Sequence, residues 1–353
     1  MTPTLLPGSP PLGDPGRPTP PALSRRALLS AAAALGVLAA AGCSVSDPRI
    51  HGDRPATNRT GEPPASPTPG PSPALPGAES GARAEEATAA LAAALLASGA
   101  KLSSDQRTVV TAARDAHRLH AAVLRTPDPT ARSTAGSTPG PTPVKPRTVS
   151  LAALIAAEKT LAGRHAKLVG TSRGLTALLF GSLSVAGTTF AGALGAGGRV
   201  PITSTPAAPR TPGVLADVAG IQAVVSQLHA LIYGYQVAIG RLPVGSTSHG
   251  RALADLAERR ALRDQLTAVL ISRTATVPVA EPAYATPSKV RSAGAATALI
   301  AAMETAFVPF TGQWLASAAQ PADQQLAWAG MRRAAALARG WGGPVGAWPG
   351  WPG

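Results

Sequence analysis

IQAVVSQLHALIYGYQVAI, residues 221–239, sets apolar side chains alternately four and three positions apart at Ile221, Val225, Leu228, Ile232, Tyr235 and Ile239. That alternation draws one continuous stripe along an α-helix and is the seam of a helix packed in an antiparallel bundle. Downstream, a second helix is expected from about Arg251 to Ser272. Thr276 to Ser288, with Pro278, Pro282 and Pro287, then reads as a long crossover. A third helix, about 290–318, puts Ala296, Leu299, Met303, Phe307, Phe310 and Trp314 on one stripe. Pro309 within it removes the hydrogen bond to Thr305 and should kink it. A fourth helix starts at Pro321, well suited to a first helical position, and runs to Arg339.

Upstream of the stripe the chain is rich in Ala and Leu with helical spacing, which predicts helices at about 82–98, 104–125, 150–171 and 174–193. Ser103 with Gln106 forms a capping box for the second of these, and Ser150 caps the third. Two proline-bearing breaks, Thr126 to Val149 and Gly195 to Gly213, cannot be helical throughout. The expected fold class is all-α. Two hairpins joined by one long connection are the arrangement of a ferritin-like four-helix bundle, here at the C-terminus after a further helical region and a disordered tether.

Further toward the N-terminus the character changes. Ser24-Arg25-Arg26-Ala27-Leu28-Leu29 leads into an apolar run that ends in Ala39-Ala40-Ala41-Gly42-Cys43. Charged, apolar and small-residue regions in that order read as an export signal, residues 1–42. The run is too short for a transmembrane helix, which needs about 20 residues. Arg25 and Arg26 resemble the twin-arginine motif, which implies export of an already folded chain. Cys43 is the one cysteine; in a lipoprotein signal it becomes the lipidated first residue, although the usual Leu three positions before it is Ala40 here. Diacylation then fastens the chain to the outer face of the cell membrane. Residues 43–81, rich in Pro, Ser, Gly and Thr, read as a solvated tether. The remaining parts are a helical region at 82–194, a Pro/Gly linker at 195–213, and a bundle with a Trp/Pro/Gly tail at 214–353.

The net charge is +14, nearly all of it beyond the tether, and aromatic residues make up 3%. A basic surface favours anionic partners. For a membrane-tethered chain these are anionic lipid headgroups or wall polymers rather than nucleic acid, since no basic, aromatic-interleaved platform for stacking bases is present.

Several elements together carry a family resemblance. They are Gln222 through Tyr235 with His229 and Tyr233-Gly234-Tyr235, then Arg260-Ala261-Leu262-Arg263-Asp264, then Glu281-Pro282-Ala283-Tyr284, and the closing Pro/Gly tail. From about residue 215 to 353 the chain resembles the ferritin-like domain of unknown function found in actinobacterial lipoproteins. The resemblance implies a four-helix fold and an envelope location, but no established activity. Leu228 stands before His229 where the relatives carry Glu, and Arg259 stands where they carry His.

Those departures bear on metal chemistry, because a di-metal carboxylate site takes a Glu from each of two helices and Glu-x-x-His from each of the other two. No Glu-x-x-His occurs in the chain. His229, Glu258 and Glu304 with Arg259 and Arg260 nearby make a poor cation cage. The simpler reading gives His229 a hydrogen bond at the core boundary, Tyr233 and Tyr235 anchoring roles, Glu304 an arginine partner, and Glu258-Arg259-Arg260 a solvated face. A second cluster lies upstream: His117 and His120 are three apart on one helical face, Glu158 and His165 seven apart on another. These four could meet if their helices pack together.

No catalytic residue, metal or cofactor is assigned from the sequence. Gly195-Ala196-Gly197-Gly198 follows a helix and leads into Pro201, unlike a phosphate loop. Trp341, Trp348 and Trp351 read as a tail folded back over a bundle end. The functional expectation is a lipid-anchored envelope protein, a non-enzymatic scaffold or binding module that engages another envelope protein. The alternatives are a metal-binding ferritin-like oxidoreductase or storage protein, and a carrier of a lipid or small apolar molecule.

Overall fold

The computed structural model describes residues 75–126, 149–197, 200–203, 212–285 and 289–351. The export signal with Arg25 and Arg26, Cys43, and the tether up to residue 74 lie outside the described residues. Among the described residues eight α-helices form: α1 (Ala78–Ala97), α2 (Ser104–Leu124), α3 (Leu151–Thr171), α4 (Gly174–Ala196), α5 (Asp217–Ile239), α6 (Thr247–Ser272), α7 (Ala293–Ser317) and α8 (Pro321–Gly340). Among the described residues no strand occurs, only one isolated parallel bridge between Ile202 and Val345. The fold class is all-α.

The helix starts follow local chemistry. Ser103 accepts from the Gln106 backbone while the Gln106 side chain accepts from the Ser103 backbone, so the expected capping box is made. Ser150, Ser246 and Ser292 each accept from a first-turn amide of α3, α6 and α7. Pro321 occupies the first turn of α8, and α7 continues through Pro309 to Ser317. α1 begins at Ala78, a turn before the expected position, after Gly77 with φ of 83°.

α1 packs on α2 and α3, and α4 packs on α2 and α3, which closes a ring of four helices. α5 packs on α6 and α7, and α7 packs on α8. Arg333 closes this second ring by pairing α8 with Asp255 and Glu258 on α6. The Tyr233-Gly234-Tyr235 element has a packing reason, since the Met303 side chain of α7 occupies the space a Cβ on Gly234 would need.

α4 joins the two rings. It is apolar on every side, with Leu178, Leu179, Phe180 and Leu183 in one core and Ala186, Phe190, Ala193 and Leu194 in another. A helix of that kind belongs in an interior. α4 and α7 are both long and apolar enough to cross a membrane, but 89% of the α4 window is buried inside the protein. The linker is held as well: the Val345 amide donates to the Pro201 carbonyl at 2.9 Å and the Thr203 amide to the Val345 carbonyl at 3.0 Å. The tail thereby returns from the second ring to the first.

Candidate metal centre

α1 to α3 each deliver ionisable side chains into the middle of the first ring. On α1 the buried seam is Ala78, Ala82, Glu85, Ala89 and Ala92, and its small side chains allow close approach while turning Glu85 inward. α2 brings His117 and His120, and α3 brings Glu158 and His165. All five are between 0% and 1% exposed, so each needs a partner inside the protein. The four residues singled out in the sequence thus come together, with Glu85 as a fifth member.

Glu85 lies at the middle. His117 donates from Nδ1 to Glu85 Oε2 at 2.5 Å and from Nε2 to Glu158 Oε1 at 2.8 Å. His120 Nδ1 lies 3.3 Å from the same Glu85 Oε2, while its Nε2 donates to the Ala347 carbonyl at 2.8 Å. His165 donates from Nε2 to Glu85 Oε1 at 2.8 Å. Phe180 stacks on His165 at 6.0 Å and Phe190 lies 6.1 Å from His117, which gives the cluster an apolar wall. Glu158 Oε2 and His165 Nδ1 are buried without a hydrogen-bond partner.

The electrostatics follow from that packing. Burial pushes the Glu85 carboxyl up, but His120 and His117 outweigh it and hold it well below the ordinary carboxylate range. Burial pulls His117 down, yet the Glu158 and Glu85 carboxylates outweigh that and push it up to about 10. His117 is therefore an imidazolium between two carboxylates, and its Nδ1 proton sits where a cation is best accommodated.

Glu85, His117 and His120 offer ligand atoms that all lie within 4.8 Å of one another, the one such group of three among the described residues. Two imidazoles and a carboxylate suit zinc or ferrous iron. Each of the three has a further partner of the kind that orients a metal ligand: Glu158 accepts from His117, the Ala347 carbonyl accepts from His120, and His165 donates to Glu85. A divalent ion there would take over from the histidines that now hold the Glu85 carboxyl well below its ordinary range.

The second ring uses its buried carboxylate differently. Arg259 donates to Glu304 from Nε to Oε1 at 2.9 Å and from Nη2 to Oε2 at 2.5 Å, and the Tyr235 hydroxyl donates to Oε1 at 2.8 Å. Both Glu304 oxygens are engaged. Burial and the Glu304 carboxylate push the Tyr235 phenol above its ordinary range, so it remains a donor. Arg259 is 1% exposed, which corrects the reading of Glu258-Arg259-Arg260 as one solvated face: α6 turns Arg259 inward, while Glu258 pairs with Arg333 at the surface. His229 donates to the Pro278 carbonyl of the crossover at 3.2 Å, and Trp341 donates to Asp255 at 2.8 Å.

The molecule is thus an all-α protein with a buried Glu/His cluster in one ring of helices and a buried Arg/Glu/Tyr cluster in the other. The family model described as "Domain of unknown function (DUF4439)" matches residues 220–353, the second ring and tail. A solved structure described as a conserved hypothetical protein, rv2844, from Mycobacterium tuberculosis is 27% identical to this chain. It covers 35% of this chain and 93% of its own, with a TM-score of 0.34. No curated protein matches.

Proposed function

We propose that this chain is a metal-binding protein of the cell envelope. Glu85, His117 and His120 hold one divalent first-row ion, and Glu158, His165 and the Ala347 carbonyl orient those ligands. The observation that carries this reading is the set of three ligands that each possess a second, correctly polarised partner. Binding replaces the His117 Nδ1 proton. The reading places the metal in the upstream helices and departs from the expectation of a chain without a metal.

The envelope part of the proposal rests on sequence. Arg25, Arg26 and Cys43 support export and lipid anchoring at the outer face of the membrane. Export in a folded state would allow the buried ion to be loaded before the chain crosses. For the C-terminal half we propose a ferritin-like bundle with a non-enzymatic scaffold role, supported by a Glu304 whose oxygens are already taken by Arg259 and Tyr235.

The test is elemental mass spectrometry on the full chain, purified without chelator or affinity histidines and then equilibrated separately with Zn2+, Fe2+ and Mn2+. The expected result is about one ion per chain for at least one metal. Protein that stays folded and retains none of the three would overturn the reading.

A further inference from the structure

The cluster's ligands all come from α1 and α2, yet one of its orienting partners comes from the far end of the chain. Ala347 lies beyond α8, in the tail of the second ring, and its carbonyl is the acceptor for His120 Nε2 at 2.8 Å. A carbonyl can only accept, so His120 carries a proton on Nε2, which leaves Nδ1, 3.3 Å from Glu85 Oε2, as the nitrogen that would meet a metal between Glu85 and His117. The next residue supports the same ring: Trp348 meets His120 edge-on with centroids 4.7 Å apart.

The tail is seated at both ends: Val345 is 1% and Trp351 7% exposed, each within a hydrophobic core. Val345 bonds to Pro201 and Thr203. Gly350 lies directly on α7 where Gly312 has no side chain, so close that a Cβ there would collide with the Gly350 backbone. Two cavities flank this segment, of about 590 and 300 Å3, and Thr203, Val345, Gly346 and Ala347 line both. The Trp348 indole N–H is buried with no acceptor.

We propose that the tail from Val345 to Trp351 is a positioning arm for the metal centre, so that metal binding in the first ring and tail docking from the second are coupled. Ala347 and Trp348 act through His120. This rests on the metal-binding reading above and adds to it that the second ring's tail completes the site. By linkage the coupling is reciprocal: the tail tightens metal binding, and metal tightens tail docking by the same factor.

The experiment uses Co2+, whose visible absorbance reports ligand geometry, and Zn2+ in competition with a chromophoric chelator. The full chain is compared with a variant lacking Pro344 to Gly353, with Trp348→Ala, and with Trp348→Phe. Loss of a partner that orients a ligand weakens metal binding about 10–100-fold, so that is the loss expected for the truncation, together with an altered Co2+ spectrum. Trp348→Ala should follow in the same direction, and Trp348→Phe, which keeps an aromatic edge on His120, should retain the parent spectrum. In the full chain Zn2+ should slow hydrogen exchange at the Val345 amide.

If the truncated chain fails to fold, Trp348→Ala and the exchange measurement decide. Equal affinity and an unchanged spectrum in every variant, with no Zn2+ effect on Val345, would overturn the positioning role while leaving the metal site standing. A full chain that binds neither ion would overturn both.

Discussion

The two rings of helices solve the same problem with different cations. Each buries a carboxylate in its middle, which is tolerable only with a compensating charge and saturated hydrogen bonds. In the second ring the compensating charge is covalent: Arg259 reaches Glu304 through two nitrogens, with Tyr235 as a third donor. In the first ring it is a proton on His117, held between Glu85 and Glu158. A guanidinium cannot leave, whereas a proton can be exchanged for a metal ion. On the proposed metal-binding reading, the difference teaches that a buried polar cluster becomes a binding site when its own cation is exchangeable, and that the number of carboxylates alone does not decide.

The sharpest way to break the comparison is to remove the central carboxylate of each ring's cluster or its partner. Glu85→Ala should reduce metal content from about one ion per chain to background, read by elemental analysis. Arg259→Met should leave metal content unchanged but lower unfolding free energy by about 3–5 kcal/mol, because it leaves Glu304 buried without its charge partner. Adding Glu304→Leu to Arg259→Met should recover most of that loss in urea unfolding. A double variant as unstable as the single one would show that the pair is not the unit.

Exchangeability also predicts a pH signature in the metal-free protein. His117, pushed up to about 10 from 6.5, contributes stability that is complete below about pH 6.5 and lost as pH rises toward 10. Glu85, held below its ordinary 4.5, contributes stability present above that value and lost as pH falls through its lowered one. Melting temperature should therefore be highest between about pH 4.5 and 6.5 and decline toward pH 10. His117→Gln should flatten the alkaline decline, as should saturating Zn2+. The smallest effect belongs to a control: Ser103→Ala, which removes the cap of α2, should cost about 1 kcal/mol and leave metal content alone.

Most of the helical plan was legible in the sequence because caps and seams are local. Ser103, Gln106, Ser150 and Pro321 mark helix starts through interactions within one turn, and the stripe from Ile221 to Ile239 marks a buried face. His117, His120, Glu158 and His165 were recognisable as possible neighbours, conditional on their helices packing together. Glu85 was not, because it stands beside Arg83 and Glu86 in what resembles a solvated charge run. Glu86 does face outward to pair with Arg125, while Glu85 falls on the seam of Ala82, Ala89 and Ala92. Arg259 repeats the lesson, lying on a seam with Ala252, Leu256, Leu266 and Leu270. A charged residue at a seam position was the available signal in both cases. The role of Ala347 had no such signal, since a backbone carbonyl 227 residues from His120 in sequence leaves no trace in residue type.

The central claim is that one ring takes a metal ion and the other carries its own cation. Anomalous scattering from crystals of the full chain grown with Zn2+ tests it most directly. The account predicts one strong peak among Glu85 Oε2, His117 Nδ1 and His120 Nδ1, and none beside Glu304. A peak at Glu304, or fully ordered crystals with no peak at the Glu85 cluster, would contradict it.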